Sequence, residues 1–245
     1  MRHFGLIGYP LGHSFSKIFF TEKFEKEHID AHYELYPLEN IAEFESLINK
    51  VELSGLNVTI PYKQQVIPYL DELDDTAAEI GAVNVIKFIR NNDKLTLKGY
   101  NSDAIGFRES IIPLLNVSHR KALILGTGGA SKAVDYTLRQ LGLETQFVSR
   151  NKAPGIITYD ELNSEIMAAN TVVVNCTPAG MFPQTDACPT IPYEFINKQH
   201  LLYDVIYKPE ETLFLQKGKI QGATTANGME MLFGQAHAAW IIWNS

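Results

Sequence analysis

Short runs with apolar residues at every second position alternate along this chain with longer runs whose apolar residues recur every three or four positions. His3 to Ile7 reads as a strand, followed by the loop Gly8–Ser14. A helix is predicted over Ser16–Glu27, with Ser16 as its N-cap. Ala31–Pro37 is a second strand. Ile41, Phe44, Leu47 and Ile48 have the spacing of one helical face over Ile41–Lys50. Leu56–Ile60 is β-like, Asp74–Ile80 helical, and Val83–Arg90 a strand that turns through Asn91-Asn92-Asp93 into Leu95–Gly99. The second half begins with a helix over Ala104–Leu115. Strands follow at Arg120–Leu125, Glu144–Ser149, Thr171–Cys176 and Leu201–Ile206, with helices at Ser131–Leu141 and Met229–Trp243. Thr158 and Glu161 form a capping-box pattern predicted to open a helix running to Ala169. Between Arg150 and that helix there is no room for the crossover of a dozen or more residues that normally joins parallel strands. Gly155–Thr158 is therefore irregular or an unusual strand.

Strands alternating with helices read as α/β. The expected plan is two α/β domains with a cleft between them. One is made of residues 1–101 plus 227–245, the other is a Rossmann-like nucleotide domain over 102–226.

Composition narrows the functions. The chain has 245 residues, 45% hydrophobic and 20% charged, the balance of a globular protein. Its 21 basic and 28 acidic residues leave a net charge of −7, which argues against a nucleic-acid binder. The late apolar run Ala236–Trp243 is interrupted by His237 and far short of the ~20 residues of a membrane span. Cys176 and Cys188 form no C-x-x-C pair and suit a reducing compartment, so a soluble cytoplasmic protein is expected. No His, Cys or Asp spacing makes a metal site, and His13 reads as structural.

Leu123-Ile124-Leu125-Gly126-Thr127-Gly128-Gly129-Ala130-Ser131 is a strand, a glycine turn and a helix start. Gly126 permits the turn, Gly128 lets backbone approach a pyrophosphate, and the amides of the helix N-terminus face its oxygens. An ordinary strand-to-helix turn is the plain alternative. About twenty residues on, where an acidic residue would bind the ribose of NAD, stands Arg150, whose guanidinium suits the 2′-phosphate of NADP. A solvated surface arginine is the alternative there, and the missing acid speaks against a methyltransferase. In the first half, Lys63 follows Pro61 and Asp103 lies at the domain junction. A Lys–Asp pair can exchange protons with a hydroxyl or ketone, although a surface lysine and a helix-capping aspartate would look the same. Ser14 and Ser16 precede a helix, where they can bind a carboxylate or simply cap it.

The segments GYPLGHSFS, GLNVTIPYK, GAVNVI, GYNSDAIGF, LILGTGGASKAV, VVNCTPAGM, YDVIY and NGMEMLFGQAHAAW, in this order over nearly the whole chain, resemble shikimate dehydrogenases. The resemblance implies NADP-dependent interconversion of 3-dehydroshikimate and shikimate, a step toward chorismate and aromatic amino acids. It also implies a substrate domain followed by an NADP-binding one, a small-molecule substrate as the partner, and a monomer or homodimer. It makes Lys63 and Asp103 the catalytic pair and Ser14 and Ser16 the carboxylate-binding serines. Thr59, Asn84 and Gln235 match positions that contact the ring hydroxyls, Tyr207 matches a substrate-side tyrosine, and Asn57 supports their strand. Gly126, Thr127, Gly128, Gly129 and Ala130 match the pyrophosphate loop. Arg150, with Asn151 beside it, matches the NADP motif, and Val205 and Gly228 match backbone positions near the nicotinamide. Three features depart from the family pattern: Lys17 replaces a proline, the second arginine of the NADP motif is replaced by the region of Lys152, and the segment after Arg150 is short. The alternatives that stay open are a quinate/shikimate dehydrogenase with relaxed NAD use and a non-catalytic nucleotide-binding module.

Overall fold

The computed structural model describes residues 1–12, 14–92 and 94–245; His13, and Asp93 of the predicted turn, lie outside the described residues. The chain forms two compact units, Met1–Ser102 with Ala236–Ser245, and Asp103–Gln235.

In the first unit a mixed sheet is built from β1 (Arg2–Gly8), β2 (Ala31–Pro37), β3 (Leu53–Val58), β4 (Glu72–Leu73), β5 (Val85–Asn91) and β6 (Lys94–Tyr100), in the order β2-β1-β3-β5-β6-β4. β1 pairs in parallel with β2 and β3, and β5 is antiparallel to β3 and β6. Around it lie α1 (Phe15–Lys26), α2 (Glu43–Lys50) and α3 (Asp75–Ile80). One core gathers Ile7, Phe44, Leu56 and Ile86; another gathers Phe4, Phe20, Phe24 and Tyr33 with Trp243. Trp243 comes from the C-terminal helix and donates its indole N–H to the Ile86 carbonyl at 3.1 Å. The cap of α1 is Ser14, whose hydroxyl accepts from the Lys17 amide, and not the expected Ser16, which lies inside the helix. The reason is that the extended backbone required of a cap falls one residue before Phe15. Lys17, in the family's proline position, pairs with Glu34 at 2.5 Å.

The second unit opens with α4 (Ser102–Ile111), whose first residue still belongs to the first unit. Its sheet consists of β7 (Lys121–Leu125), β8 (Glu144–Ser149), β9 (Ile156–Thr158), β10 (Val172–Asn175), β11 (Leu201–Asp204) and β12 (Thr224–Ala226). All pairs are parallel, in the order β12-β11-β10-β7-β8-β9. The helices are α5 (Gly129–Gln140), α6 (Ser164–Ala169), α7 (Leu213–Ile220) and the first turns of α8 (Met229–Asn244). Side chains of one strand serve two cores by turns: Ala122 and Ile124 on one face, Leu123 and Leu125 on the other. The strand order reverses between β7 and β10, the place where open parallel sheets bind ligands beyond their carboxyl ends.

Of the two readings of Gly155–Thr158, irregular or an unusual strand, the strand holds: β9 pairs with β8, Phe147 opposite Ile156 and Ser149 opposite Thr158. Only six residues join Ser149 to Ile156, and they suffice because a three-residue strand requires the chain to step back only about 7 Å. The capping box of Thr158 and Glu161 is present but opens a single 3₁₀ turn, Tyr159–Glu161. The helix α6 starts separately at Ser164 under Asn163, whose side chain offers a better-placed cap to the Ile166 amide. The elements β4, α7 and β12 carry too few periodic positions to have been predicted.

Helices α4 and α8 approach at Gly106 and Gly234. A Cβ on Gly106 would stand 2.3 Å from the Met231 carbonyl oxygen and 2.6 Å from the Gln235 nitrogen. Both obstacles are backbone, so Gly106→Ala is expected to cost about 1–3 kcal/mol or more in urea unfolding, an overpacking penalty with no side chain to yield.

Candidate active site

The first unit joins residues from four separate motifs by hydrogen bonds. Tyr33, fully buried on β2, shares a hydrogen bond with the Ser16 side chain and donates its hydroxyl to Asn57 Oδ1 at 2.8 Å. Burial pushes the Tyr33 hydroxyl well above its ordinary pKa, so it stays a donor. Asn57 Nδ2 reaches the Asn84 carbonyl at 3.4 Å. Asn84 Oδ1 accepts from the Ser102 amide at 2.7 Å, and its Nδ2 donates to the Ser102 hydroxyl at 3.0 Å. Next to it Asn101 donates to the Ala82 carbonyl at 2.9 Å. Lys63 is half-buried, and its carbonyl accepts from Val83 at 2.7 Å, immediately before Asn84. Thr59 is fixed by its amide on the Ile7 carbonyl at 2.9 Å. Ser16, Asn57, Asn84 and the start of α4 are thus one connected set, with Lys63 anchored at its edge. Tyr33 was missed because an isolated tyrosine in an alternating strand carries no signal of its own.

Asp103 follows Ser102 and is buried at 2% exposure. It is the second residue of α4, so it is not a helix cap. One turn further along is Gly106, whose contact with Gly234 sets α4 against the segment of α8 that carries Gln235. The crossing therefore fixes Asp103 and Gln235 on neighbouring helices of the second unit.

The glycine turn closes β7 as expected. Gly126 has φ +101°, a left-handed conformation that a side chain disfavours, and its amide donates to Val148 at 2.8 Å. Gly128 is extended, caps α5, and has nothing within 4 Å of an added Cβ. Neither packing nor φ demands glycine there, so the space over Gly128 suits a close external group. Thr127 and Gly128 are exposed, Gly129 opens the helix, and Ser131 donates back to the Gly128 carbonyl at 2.6 Å. The twelve-residue helix presents its N-terminal amides to that space, which is suited to a pyrophosphate. Arg150 and Asn151 are exposed just beyond β8, on the same side as the turn. Among the described residues no carboxylate pairs with Arg150; its charge opposes the rise that burial imposes on the Tyr159 hydroxyl.

A second feature borders the switch point. Val205 and Gly228 meet: a Cβ on Gly228 would stand 2.1 Å from the Val205 oxygen, and the Gly228 amide donates to Ile206 at 3.0 Å. The shelf they form is held by Asp204, fully buried, which accepts from Thr212 at 2.6 Å, Ile206 at 3.0 Å and Asn175 at 3.1 Å. Asn175 Oδ1 in turn receives the Thr177 amide and hydroxyl, and Thr177 packs beside Gly126. Tyr207 follows, half-buried, with its hydroxyl raised by burial. Asp204 and Thr212 were not anticipated; only the aspartate in YDVIY, inside an otherwise apolar strand, hinted at a buried polar hub. Among the described residues no group of three or more His, Cys, Asp or Glu could hold a metal ion, and no helix is long and apolar enough to cross a membrane.

The model of the shikimate dehydrogenase substrate binding domain matches residues 6–86. A shikimate dehydrogenase (NADP(+)) of Methanosphaera stadtmanae is 36% identical over 98% of this chain and 90% of that protein. The crystal structure of a chorismate mutase/shikimate 5-dehydrogenase fusion protein from Clostridium acetobutylicum matches with a TM-score of 0.87 at 35% identity, covering 99% of this chain and 91% of that one. Shikimate 5-dehydrogenase from Thermus thermophilus, solved in complex with NADP(H) and shikimate, matches at 0.86 with 28% identity, covering 99% of this chain and 93% of that one.

Burial pushes the Asp204 carboxyl up to about 6, and its three hydrogen bonds restrain the rise only in part. A carboxyl raised on folding contributes stability that is complete below its unfolded pKa near 4 and is lost as the pH climbs through about 6. The expected result is a melting-temperature contribution that falls between about pH 4 and 6 and that Asp204→Asn removes. Differential scanning calorimetry across that range checks it, and a slope unchanged by the substitution would contradict it.

Proposed function

The chain belongs to the shikimate dehydrogenase family, and on that premise we propose that it reversibly reduces 3-dehydroshikimate to shikimate with NADPH. The fold is the two-domain, Rossmann-type α/β architecture of that family. The observation that carries the proposal is the hydrogen-bonded set Ser16–Tyr33–Asn57–Asn84–Ser102, which ties the family's scattered motifs into one scaffold. A nucleotide-binding module without catalysis would not need it, nor Lys63 and Asp103 beside it.

In this reading the first unit binds the substrate and the second the cofactor. Ser14 and Ser16 take the substrate carboxylate. Thr59, Asn84, Tyr207 and Gln235 contact the ring and its hydroxyls. Gly126 to Ala130 cradle the pyrophosphate, Arg150 and Asn151 take the adenosine 2′-phosphate, and Val205 and Gly228 line the nicotinamide. Bound NADPH supplies the hydride. Lys63 gives its proton to the ketone oxygen as the carbonyl becomes an alkoxide, and Asp103 orients Lys63 and the adjacent hydroxyl. In the reverse direction the same lysine takes the proton back. Proton transfer by a placed side chain contributes ~10²–10⁴-fold. The small molecules are the partners, the protein acts as a monomer or homodimer, and the cytoplasm fits its two free cysteines.

The test follows nicotinamide reduction by purified protein with shikimate, and with quinate as the comparison, using NADP and NAD in turn. Rapid NADP reduction by shikimate is expected; no turnover of either substrate would overturn the reading. Lys63→Ala is expected to lower kcat by about 10²–10⁴-fold with NADP affinity retained. Ser14→Ala is expected to raise KM for shikimate while kcat changes little. A Lys63→Ala variant turning over at the normal rate would remove that residue from the chemistry.

A further inference from the structure

The loop after β8 carries two cations, Arg150 and Lys152, and starts two residues past Val148, whose carbonyl accepts from the Gly126 amide at 2.8 Å. They are in different situations. Arg150 is exposed and ion-paired with no described carboxylate. Lys152 Nζ lies 2.6 Å from Glu161 Oε1. The other oxygen of Glu161 is also committed, accepting from the Thr158 amide at 2.8 Å and the Thr158 hydroxyl at 3.1 Å. Those bonds close the capping box that ends β9. The carboxylate therefore cannot follow Lys152 toward a ligand without giving up the cap. The short crossover creates this arrangement: six residues after Ser149 the chain is already back in the sheet, and the turn that follows brings Glu161 within reach of the loop.

We propose that Glu161 weakens this chain's preference for NADP over NAD, holding Lys152 out of 2′-phosphate recognition and leaving Arg150 as the cation for that group. This rests on the dehydrogenase reading above. Glu161 acts by neutralising the second cation. The ion pair is exposed, and such pairs contribute little. Glu161 is thus a modest attenuator of NADP affinity, worth roughly a few fold. NAD carries no 2′-phosphate and is indifferent to it.

The test is a direct binding titration of NADP and NAD to the whole protein, followed by calorimetry. Glu161→Gln is the informative variant, because glutamine serves a capping box as well as glutamate does and the local fold is kept. It is expected to tighten NADP about three- to fivefold and to leave NAD within twofold, the unchanged NAD constant showing that the cofactor domain is intact. Lys152→Ala alone is expected to change NADP binding less than about twofold, because that lysine is already committed; combined with Glu161→Gln it is expected to abolish the gain. An unchanged NADP constant in Glu161→Gln, or an equal shift for NAD, would overturn the proposal. So would a tenfold loss of NADP affinity in Lys152→Ala alone. Wild-type protein that binds no NADP would overturn the dehydrogenase reading itself and this inference with it, a result distinct from NADP binding that ignores Glu161.

Discussion

The side-chain amide of Asn84 is buried just before β5, and it is satisfied by the amide and hydroxyl of Ser102. An amide left unsatisfied there would cost about 1–3 kcal/mol, so Ser102 cannot slip by a residue without a large penalty. Its position fixes the first residue of α4. Through its backbone carbonyl Asn84 also holds Asn57, and through Asn57 it holds Tyr33 and Ser16. A single polar group, taken out of water and fully paired, thus sets the register of a loop, two strands and two helices. Apolar packing alone tolerates sliding in a way that this set does not.

The second unit reaches the same precision by different means. Its parallel sheet is buried on both faces, and its chemistry is gathered where the strands end. There the backbone does most of the work: a left-handed glycine, an extended glycine under open space, and a glycine lying against the Val205 carbonyl. Asp204 links the ends of β10 and β11, and through Asn175 and Thr177 it supports the wall of the glycine turn. A buried carboxylate is a costly support, and the three donors around it are what make it tolerable.

The parts most legible in the sequence were those written in local patterns. β2 and β8 fall on their predicted bounds because their apolar alternation and flanking turn residues agree. The glycine turn was legible from its own residue types, and the predicted helix Asp74–Ile80 differs from α3 only in that Asp74 is its cap. Where two neighbouring residues offered the same chemistry, as Ser14 and Ser16 did, only backbone conformation could choose between them. The capping box of Thr158 and Glu161 was seen, but a cap says where a helix starts and not how far it runs. Partnerships across long separations were not legible. The Tyr33–Asn57 bond, the Asp204–Thr212 bond and the capture of Lys152 by Glu161 depend on register between elements, which no local pattern encodes.

Trp243 packs on Phe4 and Phe20 and donates to the carbonyl of Ile86, 157 residues earlier in the chain. The first sheet is therefore sealed by a side chain synthesised long after the strands it covers. At about 5–20 residues per second the ribosome takes roughly 8–30 s to cover that interval. During that time the ring faces of Phe4 and Phe20 lack their covering indole, and the whole of the second unit, Asp103–Gln235, is synthesised before it arrives. The order of synthesis is thus the reverse of the order of completion. The strands that precede the second unit wait longest for their core, and their exposure to chaperones or to neighbouring nascent chains is fixed by the position of one tryptophan.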